Sequence, residues 1–209
     1  MTRPLEHARL YTVEEYFQID SASEVRHEYV DGQVIDMAGG TDRHSQITAN
    51  VIGSAWTRLR GKPCQVRDSN LRVRYGRRVQ YGYPDALIVC GQPQYDPTGP
   101  RDSTLLNPRV LIEVLSDSTE GYDRGRKFER YREIESFVEY ILIDSNRASL
   151  DVYRRQSSGL WVLSPYSGLE ANVPLESVGI ELPLTEIYAG VEFPPDPDEG
   201  PGNIIEVKS

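Results

Sequence analysis

Two short apolar segments, each carrying one acidic side chain, constrain the fold of this chain more than any other feature. The first is Tyr83–Val89, which contains Asp85 near its start, and the second is Val110–Ser116, which contains Glu113 in its middle. Segments this short, rich in Val, Ile and Leu and bounded by turn residues, predict buried β-strands. A carboxylate in a buried strand is costly unless a cation compensates it. If the two strands are neighbours, Asp85 and Glu113 can converge on one divalent cation.

The residue types in these strands suit a magnesium site. Mg²⁺ prefers oxygen ligands and retains several waters, so two carboxylates on adjacent strands can hold it. Such a metal can polarise a phosphoryl oxygen and lower the pKa of a bound water. The alternative is structural: Asp85 would cap a turn after Pro84, and Glu113 would pair with an arginine. Spacing alone leaves both interpretations open.

A helix start at Asp123–Tyr131 follows the second strand. The helix can pack back over the strand end, so the long side chain of Lys127 can reach the same place and orient a water or bind a phosphate as a point charge. Asp123 precedes Lys127 by one helical turn, and the alternative is therefore a weak ion pair on the helix surface. Tyr131 lies on the same helix face, where a core or boundary aromatic is expected.

Local signals along the rest of the chain alternate between helix and strand. Thr12 and Glu15 have the spacing of a helix-capping box, and Asp31-Gly32 between alternating apolar residues indicates a hairpin. Further predicted elements are a helix at Arg43–Leu59, strands at Phe137–Asp144, Ser149–Arg154 and Leu160–Leu163, and a helical turn at Leu184–Ala189. The Pro/Gly/Asp-rich loop at 91–108 is long enough to suggest a functional or mobile element. This order predicts an α/β domain built around a mixed sheet.

The chain length of 209 residues suits one well-buried domain. We place that domain at 11–193, after a flexible arm at 1–10 and before a Pro-rich acidic tail at 194–209. No apolar stretch approaches the roughly 20 residues that cross a bilayer, and the first residues lack the apolar core of a secretion signal. Cys64 and Cys90 are too few for a disulfide framework or a zinc cluster. They predict two separate buried side chains in a reduced, cytoplasmic setting.

The net charge of −9 argues against a protein that coats nucleic acid. A local basic patch is nevertheless present before the first strand, and the helix around Lys127 can extend it. The arginines expected to contact a phosphate backbone are Arg72, Arg74, Arg77, Arg78 and Arg124. On a strand, Arg72 and Arg74 share one face, and contacts of this kind position nucleic acid without specifying its sequence. The alternative is a solvated edge strand that charge protects from aggregation.

Several short motifs occur together in one order along the chain. They are Tyr11–Tyr16, Glu28–Gly32, His44, Pro84-Asp85, Glu113–Ser116 and Asp123–Tyr131. Together they resemble the Uma-two family of restriction-endonuclease-like proteins, a branch of the PD-(D/E)XK nuclease superfamily, over roughly residues 11 to 155. The resemblance implies a restriction-endonuclease-like core, with a mixed central sheet flanked by helices. It also implies Mg²⁺-dependent cleavage of phosphodiester bonds, with Mn²⁺ able to substitute.

The resemblance assigns roles to individual residues. Asp85 resembles the aspartate of the Pro-Asp pair, Glu113 resembles the acidic residue of the second half-motif, and the carbonyl of Val114 would be a further metal ligand. The superfamily pattern places a lysine two residues after that acid, where this chain has Leu115. The resemblance therefore implies that Lys127, on the next helix, replaces it.

Two earlier residues complete the expected site. Glu28 matches an acidic residue that many superfamily members place near the metal. His44 begins the long helix and can reach the same cleft, although an exposed histidine at a helix start is also unremarkable. The resulting hypothesis is a metal-dependent nuclease with DNA as the expected substrate, and a homodimer would suit cleavage of two strands.

Two functions of other classes compete with this hypothesis. One is a catalytically silent nucleic-acid-binding or protein-interaction module on the same fold. The other is a glycosidase that uses Asp85 and Glu113 as acid and base, for which the sequence offers no aromatic sugar platform.

Overall fold

The computed structural model describes residues 9–37 and 39–194. Most of the expected arm, residues 1–8, and most of the expected tail, residues 195–209, lie outside the described residues. The helices are α1 (Val13–Ala22), α2 (Asp42–Leu59), α3 (Glu120–Tyr122), α4 (Phe128–Tyr131) and α5 (Leu184–Ile187). Between α3 and α4, Asp123–Lys127 forms a π-helical turn, so the chain stays helical from Glu120 to Tyr131.

The strands follow the helices in alternation. They are β1 (His27–Val30), β2 (Gln33–Asp36), β3 (Cys64–Asp68), β4 (Arg72–Tyr75), β5 (Gln80–Gly82), β6 (Ala86–Cys90), β7 (Thr104–Leu105), β8 (Pro108–Leu115), β9 (Glu139–Asp144), β10 (Ser149–Arg155), β11 (Trp161–Ser167), β12 (Asn172–Leu175) and β13 (Ile180–Pro183). Within the described residues they form a six-stranded sheet in the order β11-β10-β9-β8-β6-β3, a five-stranded sheet in the order β2-β1-β5-β4-β7, and the β12–β13 hairpin. Strands β8 and β9 are parallel, whereas β6 and β8 are antiparallel. The predicted α/β architecture with a mixed sheet and flanking helices is confirmed.

Strand β8 is buried on both faces and divides the core in two. Successive strand residues point to opposite faces, so Ile112 and Val114 pack towards α2, whereas Leu111 and Leu115 pack towards the other side. The apolar residues of α2 that follow helical spacing, Ile47, Val51, Ala55 and Leu59, are all buried against the first face. Aromatic residues of and after the Glu120–Tyr131 segment, such as Phe128, Tyr131, Phe137 and Tyr140, cover the second face. Alternation therefore places Glu113 on this second face.

The predicted local signals form as expected near the start of the chain. The amide of Glu15 donates to Thr12 Oγ1 at 3.2 Å, and the amide of Thr12 donates to Glu15 Oε2 at 2.8 Å. Asp31 and Gly32 both have positive φ, 51° and 82°, which is the backbone of a tight two-residue hairpin turn. Helix α2 and the hairpin thus confirm the sequence interpretation of this region.

The expectation of two separate buried cysteines is wrong. Cys64 on β3 lies directly opposite Cys90 on β6 in the antiparallel register, with 4.0 Å between their Cα atoms, and the two are joined by a disulfide. The register of two strands that are distant in sequence brings the thiols together, and a count of cysteines contains no information about register.

Other parts of the chain differ from expectation in their extent. The loop at 91–108 is partly ordered, since β7 within it pairs in parallel with β4. The β12–β13 hairpin was not anticipated, because its strands are short and contain Pro174 and Pro183, which weaken a strand pattern. Among the described residues, none of the helices combines the length and apolarity needed to span a membrane.

Candidate active site

The pairing of β6 with β8 brings the two expected carboxylates side by side. Ala86 is the register partner of Ile112, so Asp85, immediately before β6, lies next to Glu113 on β8. Asp85 Oδ2 accepts a hydrogen bond from the amide of Val114 at 2.7 Å. The prediction that these two strands are neighbours is therefore confirmed, and Asp85 is fixed to the backbone of β8 rather than to a turn.

His44 contacts the same carboxylate. Its Nε2 lies 3.2 Å from Asp85 Oδ2, and Thr41 caps α2 by accepting the amide of His44, which sets the start of the helix. The hydrogen bond to Asp85 raises the pKa of His44, against the opposing effect of burial and with added help from the backbone of Val114. Gly40 packs against the imidazole, because a Cβ at that position would lie 2.8 Å from His44 Nδ1. His44 is thus held in the cleft rather than exposed at a helix end.

Lys127 lies at the centre of a buried acidic cluster. Its Nζ is 2.9 Å from Glu113 Oε1, 3.4 Å from Asp123 Oδ1 and 3.6 Å from Glu28 Oε1. All four side chains are nearly or fully removed from solvent, with side-chain exposures between 5% and 11%. The pair between Asp123 and Lys127 does form, but it is buried and shared with two further carboxylates instead of lying on the helix surface.

The cluster determines the charge of the ammonium. Burial alone would lower the pKa of Lys127, but the carboxylates around it outweigh this effect and hold the pKa well above its ordinary value. For Glu113, burial raises the pKa well above the ordinary value, while Lys127 acts in the opposite direction. Lys127 is therefore the one permanent positive charge among these four groups.

The π-helical turn explains how Lys127 and Asp123 both face inward. It spans Asp123–Lys127, and both of its end residues are buried. A π-turn inserts an extra residue into a helix and is common at functional sites. In the next turn, the hydroxyl of Tyr131 donates to Glu113 Oε1 at 3.1 Å. Tyr131 is a fully buried core aromatic, as expected, and it also orients the Glu113 carboxylate.

The two carboxylates fit a divalent cation in part. Val114 and His44 both contact Oδ2 of Asp85, and Lys127 and Tyr131 both contact Oε1 of Glu113. Among the described residues, no hydrogen bond reaches the second oxygen of either carboxylate, so each retains one oxygen for a cation. A search of the same residues finds no preassembled group of three or more His, Cys, Asp or Glu side chains suited to a metal. Since Mg²⁺ keeps several waters, two carboxylates are still an acceptable set.

Glu28 belongs to the site but not to a preformed metal cluster. It extends from β1 on the five-stranded sheet to the lysine side of the cleft. Gly82 on β5 makes room for it, because a Cβ there would lie 2.9 Å from Glu28 Oε1 and 3.1 Å from a ring carbon of Tyr75. The hydroxyl of Tyr75 is buried and has no hydrogen-bond partner within the described part of the chain.

Three residues of this site escaped sequence reasoning: Asp123, Tyr75 and Gly82. Asp123 was considered only as a surface partner of Lys127, and Tyr75 only as one aromatic among basic residues. Gly82 carried a usable signal, since a lone glycine within a strand often marks a close approach of neighbouring groups. Asp123 and Tyr75 carried none, because their burial depends on how the two sheets pack.

The structure corrects the expected role of Arg72. Its side chain is 5% exposed, its Nη2 lies 2.7 Å from Asp20 Oδ2, and its guanidinium packs among four aromatic rings. Helix α1 covers this strand face, so Arg72 cannot contact a phosphate without unpacking the core. Arg74, on the same face, is 40% exposed and lies 3.6 Å from Asp96.

The remaining expected arginines differ in accessibility. Arg77 and Arg78 lie exposed in the turn between β4 and β5, with Arg77 91% exposed. Arg124 is held by Glu120 at 2.7 Å and by Asp151 at 2.6 Å. A phosphate that approaches this surface would therefore meet Arg77 and Arg78 first.

A scan against protein families decides the affiliation. Residues 13–185 match the model of Uma2, described as "Putative restriction endonuclease". The chain belongs to the Uma2 family. The resemblance drawn from the short motifs is thereby confirmed.

Relatives of this family member are found among curated proteins and solved structures. The uncharacterized protein slr1290 of Synechocystis sp. is 32% identical over 181 residues, covering 86% of this chain and 92% of that protein. The uncharacterized protein sll1609 of the same organism is 27% identical over 165 residues, covering 79% and 92%. A crystal structure from Anabaena variabilis, described as a "putative nuclease belonging to DUF820", superposes with a TM-score of 0.61 at 18% identity, covering 79% of this chain and 91% of that one. This similarity confirms the restriction-endonuclease-like fold, and together with the family description it supports a nuclease.

Proposed function

We propose that this Uma2 protein is a metal-dependent nuclease that hydrolyses phosphodiester bonds, with DNA as its substrate. The observation that carries the proposal is the convergence of Asp85 and Glu113 on paired strands, beside the buried ammonium of Lys127. These three side chains come from separate parts of the sequence, and nothing in the packing of an ordinary core requires them to meet. The family description and the fold of the Anabaena protein support a nuclease on independent grounds.

Each residue has a distinct part in this proposal. Asp85 and Glu113 would hold Mg²⁺ through their second oxygens, with the carbonyl of Val114 as a further ligand. When bound, Mg²⁺ supplies an electrophile that polarises the scissile phosphate and favours ionisation of a nearby water. Lys127 stabilises the negative charge that develops on the phosphate, because its ammonium is already fixed and desolvated. Such catalysis depends mainly on positioning and electrostatics.

The other groups of the cleft position these residues. Glu28 and Asp123 hold Lys127 in place from the sides opposite to substrate. His44 holds Asp85 Oδ2, so that the other oxygen of that carboxylate faces the cleft. Arg77 and Arg78 are the groups we propose for contact with the phosphate backbone, with Arg74 and Arg124 in supporting positions. We also propose a cytoplasmic location, without a membrane partner.

The test compares carboxylate and lysine variants with a matched control. Purified parent protein, Asp85→Asn, Glu113→Gln and Lys127→Met are incubated with plasmid DNA and Mg²⁺ or Mn²⁺. Each site variant should lose activity by at least about 100-fold, since each removes an electrostatic contact to the reacting phosphate. Glu186→Gln, which alters a half-exposed carboxylate on α5, should cleave as the parent does. Equal cleavage by the parent and all three site variants would reject the assignment.

One observation favours a second candidate, a silent nucleic-acid-binding or protein-interaction module. Lys127 already neutralises part of the buried acidic cluster, so the cleft is stable as a closed ion-pair network without any metal. Calorimetric titration with Mg²⁺ or Mn²⁺ separates the two functions. A nuclease site gives heat that disappears in Asp85→Asn, whereas a silent module gives none that depends on the carboxylates.

A further inference from the structure

Strand β11 is the outer edge of the six-stranded sheet. It runs for seven residues, Trp161–Ser167, and pairs only with β10 among the described residues. At its two ends, the amide of Gln156 donates to the carbonyl of Leu160 at 2.7 Å, and the amide of Gly168 donates to the carbonyl of Ala148 at 2.9 Å. Since antiparallel pairs alternate, even-numbered residues of β11 bond to β10 and odd-numbered residues direct their backbone groups outward.

Pro165 fits this assignment. It has no amide hydrogen, and its register partner is Asp151, at a position where no amide is needed for the ladder with β10. The outward amides of Trp161, Leu163 and Ser167, together with the neighbouring carbonyls, have no partner in the described part of the chain. The edge therefore presents a row of free donors and acceptors along its length.

The side chains of this edge are apolar and exposed. Leu160, Val162, Leu163 and Leu169 are 69%, 48%, 47% and 44% exposed, and they account for half of the eight large hydrophobic residues found exposed in residues 9–37 and 39–194. The ten residues from Leu160 to Leu169 contain no charged side chain. Proteins usually protect a free edge with charge or keep it short, so an uncharged edge of this length is unusual for a strand that stays unpaired.

The other sheet edges are protected in the usual ways. Strand β2 has four residues and includes Asp36, strand β7 has two residues, and strand β3 carries Arg67 and Asp68. The contrast singles out β11 as the edge built for pairing. A nucleic-acid or membrane surface is a poor occupant, because β11 offers no Lys or Arg to phosphate groups.

We propose that β11 pairs antiparallel with β11 of a second copy of this chain, which forms a continuous sheet across a two-fold axis. A strand that pairs with itself is self-complementary in donors, acceptors and apolar side chains, as an isologous dimer requires. Two copies that each carry a net charge of −9 repel one another, so a stable contact between them needs an uncharged surface. The segment Leu160–Leu169 is such a surface.

This dimer has a consequence for the substrate, which rests on the proposed nuclease function. From β8 of one copy to β8 of its partner there are seven strand-to-strand steps of about 4.8 Å each, so the two sites are about 34 Å apart. The two-fold axis is perpendicular to the sheet and leaves both Glu113 side chains on the same sheet face. About 34 Å is also one turn of duplex DNA. The dimer would therefore engage two phosphodiesters one turn apart.

The test measures association directly, by sedimentation equilibrium of the full chain. Near about 100 µM the parent should show a mass approaching twice the 23.7 kDa of one chain. Leu163→Lys should shift the protein to monomer by at least about tenfold in Kd, because two ammonium groups would face each other across the axis. The control is Ile35→Lys, which places the same charge on an apolar residue of similar exposure, 42%, at the other sheet edge. It should leave the dimer unchanged.

Each outcome bears on the proposal. Circular dichroism and thermal unfolding establish that Leu163→Lys is folded, and Ser167→Lys serves as a second edge variant if it is not. A parent that stays monomeric at this concentration overturns the proposal, as does a dimer that both edge variants leave intact. Plasmid cleavage is read separately: in the dimer it should give linear product directly, and in Leu163→Lys nicked circles first. A dimer that cleaves nothing defeats the nuclease proposal and leaves the interface standing.

Discussion

The two halves of the cleft differ in how their charges are compensated. On one side, Lys127 and Glu113 have 7% and 5% of their side chains exposed, and further carboxylates surround the ammonium. On the other side, His44 and Asp85 are 20% and 17% exposed and form a single pair at the cleft mouth. Both halves are attached to β8, through Glu113 itself and through the amide of Val114.

The difference separates stability from ligand binding. Charges that are fully removed from water depend on their partners, because an uncompensated charge in a low-dielectric interior is costly. Charges at the mouth can exchange a partner for water or for a cation at much lower cost. Substitutions on the lysine side should therefore act mainly on folding, and substitutions on the histidine side mainly on pH dependence and ligand affinity.

The largest expected effect is that of Lys127→Met. It removes the ammonium and leaves the carboxylates of Glu113, Asp123 and Glu28 close together without a cation. Breaking a buried ion pair by removing one partner costs about 3–5 kcal/mol, and we expect a loss of that size in the free energy of unfolding. Urea denaturation monitored by circular dichroism at neutral pH measures it.

A double variant tests the cause of that loss. Adding Glu113→Gln to Lys127→Met removes one of the unpaired charges and should recover part of the stability. The single variant Glu113→Gln keeps a hydrogen-bond acceptor for Tyr131 and should cost less than Lys127→Met. A loss below about 1 kcal/mol in Lys127→Met would mean that the cluster is solvated, as exposed ion pairs are.

A smaller, pH-dependent effect is expected from His44→Gln. The folded state raises the pKa of His44, chiefly through Asp85, above the unfolded value of about 6.5. The protonated imidazole thus contributes stability that is fully present below about pH 6.5 and is lost as the pH rises through the folded-state pKa. His44→Gln should therefore cost about 1–2 kcal/mol near pH 5.5 and much less near pH 9. Urea titrations at the two pH values give the comparison.

Two adjacent glycines provide the control for that pH effect. Gly40→Ala would push a methyl group against His44, whereas Gly39→Ala meets nothing within 4 Å. Gly40→Ala should lower the pKa of His44, as followed by the chemical shifts of its ring protons, and Gly39→Ala should not. If both variants titrate like the parent, the contact with Gly40 does not orient the imidazole.

The sequence predicted the site where a signal was local. The apolar segments around Asp85 and Glu113 identified neighbouring strands, and helical spacing placed Lys127 after them. The sequence could not show that Asp123 would be buried with Lys127, because a π-helical turn rather than a regular helix directs both inward.

Sheet register accounts for most of what was missed. Cys64 and Cys90 pair because β3 and β6 align them, and Arg72 is buried because α1 packs on its strand face with Asp20 as its partner. Each depends on contacts between segments that are far apart in sequence. Alternation within a strand identifies which residues share a face, but not which element covers that face. That limit explains why the arginine patch was predicted for nucleic acid and in part serves the core.

The smallest expected effect comes from Glu186→Gln, an ion pair that resembles neither half of the cleft. Arg58 contacts both oxygens of Glu186 at 2.7 Å, yet the carboxylate is 46% exposed. The hydrogen bonds from Arg58, and then from Ser54, lower the pKa of Glu186 to about 2. The pair therefore contributes stability above about pH 4.5 that disappears as the pH falls through about 2. Solvent screening limits the contribution to less than about 1 kcal/mol, so parent and Glu186→Gln should differ slightly at pH 7 and coincide in acid. A difference as large as that of Lys127→Met would show that good ion-pair geometry, rather than burial, determines the cost of losing a partner in this protein.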